Sequence, residues 1–192
     1  MTALAYAHDD YAVAGVPLKI DIGCGKNKKE GFKGIDRIRF DGVNYVFDAG
    51  TDEWPIRDGS VAEAHTSHFV EHLNAEQRIH FCNELHRVLE PNAKCTLIVP
   101  HWSSCRAYGD PTHQWPPMGE FWFMYLSKAW RADNAPHTDA EHWPKGYKCD
   151  FEATWGYGLS PAIMPRNAEF QQFAINHYRE SVYDIHATLI KK

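Results

Sequence analysis

A glycine pair and three aspartates carry the most legible chemistry in this chain. Asp21-Ile22-Gly23-Cys24-Gly25 ends the apolar run that starts at Leu18. Glycines at such a point let the backbone approach a ligand with no Cβ in the way. Ligands of open α/β sheets bind beyond the carboxyl ends of the strands. Lys28 stands where the dinucleotide fingerprint needs a third glycine, so a pyrophosphate is not the expected ligand. Asp36 and Asp48 end the next two extended runs. An ionised carboxylate only accepts hydrogen bonds. Asp36 suits a pair of ribose hydroxyls, and Asp48 suits an adenine amino group, with the Ala49 amide meeting a ring nitrogen. Each aspartate taken singly reads as a turn or cap residue. Three acidic strand ends in succession, the first beside a glycine pair, point to a nucleotide-type site.

The twelve histidines offer a second kind of chemistry. His68-Phe69-Val70-Glu71-His72 has the H-x-x-E-H spacing of one class of zinc protease. A match of five residues arises easily in a histidine-rich chain, and protease chemistry is not the expectation. Asp110-Pro111-Thr112-His113 places an imidazole, whose ordinary pKa is near neutrality, where it could act as a general base for a hydroxyl or amine. The competing reading is a capped turn with His113 as a structural partner. His101, Cys105, His113, His137, His142 and Cys149 show no finger or ribbon spacing, so no metal site is expected.

These residues need elements to position them. The segments 18–22, 33–36, 43–48, 61–67 and 95–100 read as strands, the fourth weakened by Glu63 and His65. Residues 74–89 read as an amphipathic helix with Ile79, Cys82, Leu85, Val88 and Leu89 on one face, Asn74 and Gln77 as a cap, and Pro91 beyond. Residues 23–31 leave room for only a stunted first helix. Strands alternating with helical or loop segments imply an α/β fold with a mostly parallel sheet. Residues 102–160 hold six tryptophans and five prolines. They read as a lid-like insertion in a single domain spanning 1–192, with a helix over 118–130. A helix over 168–178 and a strand over 182–190 follow.

Composition bounds the function. The chain has 192 residues, a net charge of −5 and 44% hydrophobic content, which suits one packed domain and disfavours binding driven by phosphate neutralisation. No apolar run reaches membrane-spanning length. The start of the chain lacks a basic and apolar leader pattern. Five cysteines without a CxxC pair fit a reducing cytoplasm. The oligomeric state is not legible.

The phrases DIGCGKNKKEGFKGID, FDAGTDEWPIRDGSVAEAHTSHFVEHL and ELHRVLEPNAKCTLIVP, in this order over residues 18–115, resemble the class I S-adenosylmethionine-dependent methyltransferases. The likeness is greatest to the small-molecule, methyltransferase type 11-like branch, in which Glu-His follows the fourth strand. Asn92-Ala93 replaces the glycine pair usual before the fifth strand. The resemblance implies a Rossmann-like sandwich with a mostly parallel seven-stranded sheet. It implies that Gly23 and Gly25 line the methionine end of the cofactor, Asp21 orients its amino group, Asp36 holds the ribose and Asp48 the adenine. Ser67 and His68 would face the sulfonium, and the phrase ending at His113 would lie where acceptor and cofactor meet. His68 and His113 are therefore the candidate catalytic residues. The amino-methylase phrase (Asp/Asn-Pro-Pro-aromatic) and a Pro-Cys nucleophile are both missing, which favours a small-molecule acceptor over nucleic acid. The alternatives are a cofactor-binding partner protein without catalysis and an enzyme acting on a nucleobase.

Overall fold

The computed structural model describes residues 16–136, 140 and 146–192. Its strands are β1 (Leu18–Ile22), β2 (Lys33–Asp36), β3 (Val43–Val46), β4 (Val61–Ser67), β5 (Leu89–Pro100), β6 (Phe151–Leu159) and β7 (Val182–Lys191). They form one sheet in the order β3-β2-β1-β4-β5-β7-β6. The first five strands pair in parallel, while β7 runs antiparallel between β5 and β6. The order reverses between β1 and β4. At such a switch point the loops leaving the two strands diverge and open a crevice.

Strand β1 is buried at four of its five positions, as expected for a central parallel strand. The polar residues that weaken β4 as a sequence pattern find partners across the sheet. Glu63 lies opposite Lys19 and Lys94 and pairs with both, at 2.8 and 3.5 Å. His65 lies opposite Asp21, with its Nδ1 2.8 Å from Oδ1.

Helix α1 (Ala75–Val88) makes the crossover from β4 to β5, preceded by a single 3-10 turn at Val70–His72. Asn74 and Gln77 form the full reciprocal cap. Phe81, Cys82, Leu85 and Val88 share the buried cluster of the strands and Ile79 is buried as well, at about 1.5–3 kcal/mol for each large apolar side chain. No helix forms between β1 and β2. The segment is a chain of turns with Gly23, Gly25 and Gly31 at positive φ. β5 starts at Leu89, so Pro91 lies inside that strand rather than marking a loop.

The segment 102–160 contains α2 (Arg106–Gly109), α3 (Glu120–Met124), α4 (Lys128–Asn134) and, near its end, β6. The helix expected over 118–130 is split, because Ser127 is extended and its side chain caps α4 by accepting from the Trp130 amide. Met118, Phe123, Leu126 and Phe151 join the same buried cluster as β1, β4, β5 and β7. Trp122 and Trp155 pack against it, whereas Trp115 is 78% exposed. α5 (Ala168–His177) leads into β7. Among the described residues no helix is long and apolar enough to cross a membrane.

Candidate functional site

A cavity of about 570 Å³ opens at the carboxyl ends of β1 to β4, where the strand order reverses. Gly23, Asp36, Asp48 and Ala49 line it, together with Phe47, Phe69, His72, Gln77, Thr112 and Gln114. Four of the nine residues singled out from the sequence thus meet at one wall. Asp21, Gly25, Ser67, His68 and His113 do not line it.

Gly23 has φ +67, and a Cβ placed there would overlap the Phe69 ring. Its amide donates to the Ile35 carbonyl at 2.9 Å, so the turn after β1 is tied to the end of β2. Asp36 completes the tie. Oδ2 accepts from the Gly25 amide and Oδ1 from the Ile38 amide, both at 2.9 Å. Asp21 has 3% exposure and holds the same loop from behind, accepting from the Lys29 amide at 2.7 Å while its other oxygen meets His65. Cys24, within the glycine pair, has its thiol pushed up to about 11 by burial and by neighbouring Asp21 and Asp36, so it is not a thiolate nucleophile at neutral pH.

The turn after β3 is built on Asp48. Oδ1 accepts from the Gly50 amide at 2.9 Å, and the Asp48 amide donates to Asp52. The buried Trp54 indole donates to the Ala49 carbonyl at 3.0 Å, which fixes that peptide. Asp48 Oδ2 and the Ala49 amide have no partner among the described residues.

His72, which lines the cavity, has two more histidines close to it in the chain or in space. His68 follows β4 with φ +53, and its amide donates to the Ile98 carbonyl at 2.9 Å. It precedes the 3-10 turn, so His68 and His72 are not on one face of an α-helix as the protease pattern requires. His68 Nδ1 lies 3.2 Å from Glu71 Oε1, and that hydrogen bond holds the imidazole pKa above its ordinary value. His72 Nδ1 lies 2.9 Å from Thr112 Oγ1, and the Thr112 hydroxyl donates to Asp110 Oδ1 at 2.7 Å. The Thr112 bonds hold the Asp110 carboxyl below its usual range. His113 Nδ1 lies 3.2 Å from the Ala107 carbonyl, and its ring meets that of His72 edge-on at 4.7 Å.

Among the described residues, one ligand atom each from Glu71, His72 and His113 lie within 4.8 Å of one another. The sequence pattern paired Glu71 with His72 but held no sign that His113 joins them. His101 is apart from this group, bonded to Ser103 and Glu120. His137 and His142 lie outside the described residues.

No protein-family model and no curated protein matches the sequence. Solved structures match the fold. A SAM-dependent methyltransferase from Archaeoglobus fulgidus aligns at TM-score 0.60 and 20% identity over 93% of this chain and 87% of its own. The 1,6-didemethyltoxoflavin-N1-methyltransferase of Burkholderia thailandensis aligns at TM-score 0.54 and 11% identity, over 93% of this chain and 72% of its own. A geranyl diphosphate methyltransferase aligns at 0.51 and 13%, over 91% and 77%. With the strand order 3-2-1-4-5-7-6 and the crevice at its reversal, the chain has the class I methyltransferase fold that its sequence phrases resemble.

Proposed function

We propose that this protein is an S-adenosylmethionine-dependent methyltransferase acting on a small-molecule acceptor. The observation that carries the reading is the cavity at the strand-order reversal, whose one wall gathers Gly23, Asp36, Asp48 and Ala49. Asp48 Oδ2 and the Ala49 amide form an acceptor and donor pair matched to an adenine edge. Asp36 keeps lone pairs beyond its two backbone bonds and serves the ribose hydroxyls. Gly23 leaves the methionine end unobstructed, while Asp21 and Gly25 hold the loop in shape. Ser67, His68 and His113 belong to the acceptor side.

Bound in the cavity, the cofactor would offer a methyl carbon on a sulfonium whose charge is lost when the methyl passes to the acceptor. The chain's share of the work is alignment and exclusion of water. The described neighbours at 0.51 and 0.54 include enzymes named for small-molecule acceptors, and the net charge of −5 accords with that class. Calorimetric titration with S-adenosylhomocysteine tests the reading. Wild type is expected to bind one equivalent. Asp48→Asn keeps the bond to Gly50 but places an amide where an acceptor is needed, and should bind about tenfold more weakly. A folded wild type that takes up no S-adenosylhomocysteine, or an Asp48→Asn variant that binds equally well, rejects the proposal.

A further inference from the structure

Beside the cavity lies a buried carboxylate with one oxygen that has no hydrogen-bond partner among the described residues. The Glu71 side chain is 5% exposed, Oε1 faces His68, and Oε2 is the unpartnered oxygen. A buried carboxylate oxygen left unpaired is costly, at about 1–3 kcal/mol or more. The two imidazoles beside it are set to donate electron pairs. The Thr112 hydroxyl spends its proton on Asp110, a carboxylate that can only accept, so Thr112 Oγ1 must accept from His72 Nδ1–H. His72 Nε2 then bears a lone pair. In the neutral ring the Ala107 carbonyl likewise takes the His113 Nδ1 proton and leaves the lone pair on Nε2, which lies 3.9 Å from Asp110 Oδ2, beyond hydrogen-bond reach. A neutral imidazole oriented through its far nitrogen by a carbonyl or carboxylate chain is the arrangement seen at metal-ligating histidines.

We infer that Glu71, His72 and His113 bind a divalent transition-metal ion, with open coordination positions that take a hydroxyl oxygen of the methyl acceptor. Two imidazoles and one carboxylate suit Mn²⁺, Fe²⁺, Co²⁺ or Zn²⁺ and are too few and too nitrogen-rich for Ca²⁺. Three protein ligands leave positions free, as in catalytic rather than structural sites. His72 and Thr112 line the cavity, so those positions are reachable from it. The acceptor class follows from the electron count. A hydroxyl bound to the ion loses its proton to water, and the resulting oxygen keeps lone pairs to attack the methyl carbon. The carbon–sulfur pair returns to sulfur, giving a methyl ether, S-adenosylhomocysteine and one proton. An amine bound to the ion would have its lone pair engaged and could not attack. In this arrangement His113 acts as a ligand rather than a general base, and His68 is a positioning residue for Glu71.

This inference rests on the methyltransferase reading only for the identity of the acceptor, and the test separates the two. Full-length protein stripped with a chelator is titrated with Mn²⁺, followed by electron paramagnetic resonance and water proton relaxation. Wild type is expected to bind one Mn²⁺ with exchangeable water, and acetohydroxamate should displace that water and lower the relaxation enhancement. Glu71→Gln and His113→Ala should each weaken Mn²⁺ at least tenfold, and Thr112→Val, which removes the orienting bond to His72 together with the bond to Asp110, severalfold to tenfold. Binding of S-adenosylhomocysteine to metal-free Glu71→Gln should stay within about twofold of wild type, which also shows that the variant is folded. No saturable Mn²⁺ binding by wild type, equal binding by Glu71→Gln and His113→Ala, or a bound ion without exchangeable water overturns the inference. If the first of these accompanies normal S-adenosylhomocysteine binding, the methyltransferase reading survives and the metal does not.

Discussion

At the scale of single residues, the site is governed by what a position will not accommodate. Gly23 combines a left-handed backbone with the Phe69 ring against its Cα, whereas Gly25 has a similar φ of +53 and open space around it. The two glycines look equivalent in the sequence and differ only because Phe69, forty-odd positions on, folds over one of them. Gly25→Ala should therefore cost about 1 kcal/mol, the backbone penalty alone. Gly23→Ala must also move Phe69, a wall of the cavity, and should cost about 2–3 kcal/mol and weaken S-adenosylhomocysteine at least tenfold. Urea unfolding and calorimetry on the two variants measure the difference. Equal losses would show that Phe69 is not the determinant.

At the scale of elements, the Glu71, His72 and His113 cluster depends on a cation from α1. Arg78 is buried on that helix and donates to four carbonyls: Val70 and Glu71 in the 3-10 turn, Gln114 and Pro116 beyond His113. The Gln114 amide also donates to the Glu71 carbonyl at 2.9 Å. The turn after β4 and the segment 112–116 are thereby clamped together, which brings Glu71 and His72 to His113. Arg78→Met keeps much of the apolar stem but strands those carbonyls. A loss of about 2–4 kcal/mol in urea unfolding is expected, with weaker Mn²⁺ binding in addition. Arg78→Lys should recover little, since an ammonium lacks the planar fork that spans both segments. The amphipathic pattern of α1 places Arg78 off the apolar face expected from the sequence. Its burial arises because the segment 112–116 covers that flank.

At the scale of the whole molecule, the segment 102–160 is secured to the sheet by a polar bridge. His101 leaves β5, Glu120 opens α3 and Tyr157 stands on β6. Glu120 Oε1 meets His101 Nε2 at 3.1 Å and accepts from the Tyr157 hydroxyl at 2.9 Å. The His101 bond, aided by Tyr157, holds the Glu120 carboxyl down to about 2 from an ordinary value of 4.5. A folded-state pKa below the unfolded one means the bridge stabilises fully above about pH 5. That contribution fades as pH falls through 4.5 toward 2, as the carboxylate takes up its proton. With partial exposure screening the pair, the contribution lost is about 1–2 kcal/mol. Thermal melts from pH 7 to pH 3 should show a smaller acid-induced decline for Glu120→Gln than for wild type, and parallel curves would refute the assignment.

Much of the architecture was written in short-range pattern. The runs at 18–22, 33–36 and 61–67 and the Asn74–Gln77 cap appear where the residues predict them, because strand burial and helix capping are local. Gly23, Asp36 and Asp48 meet at the cavity for the same reason: each sits at the exit of its own strand. What the tertiary structure alone decided is pairing over distance. Phe151–Leu159 reads as part of an aromatic, proline-rich tract, and becomes a strand only because β7 offers it a complete antiparallel edge. The meeting of Glu71, His72 and His113 likewise follows from a buried guanidinium drawing two loops together, roughly forty residues apart in the chain. No periodicity within either loop encodes that contact, since its energy comes from carbonyls and a cation that are neighbours only once the sheet has closed around them.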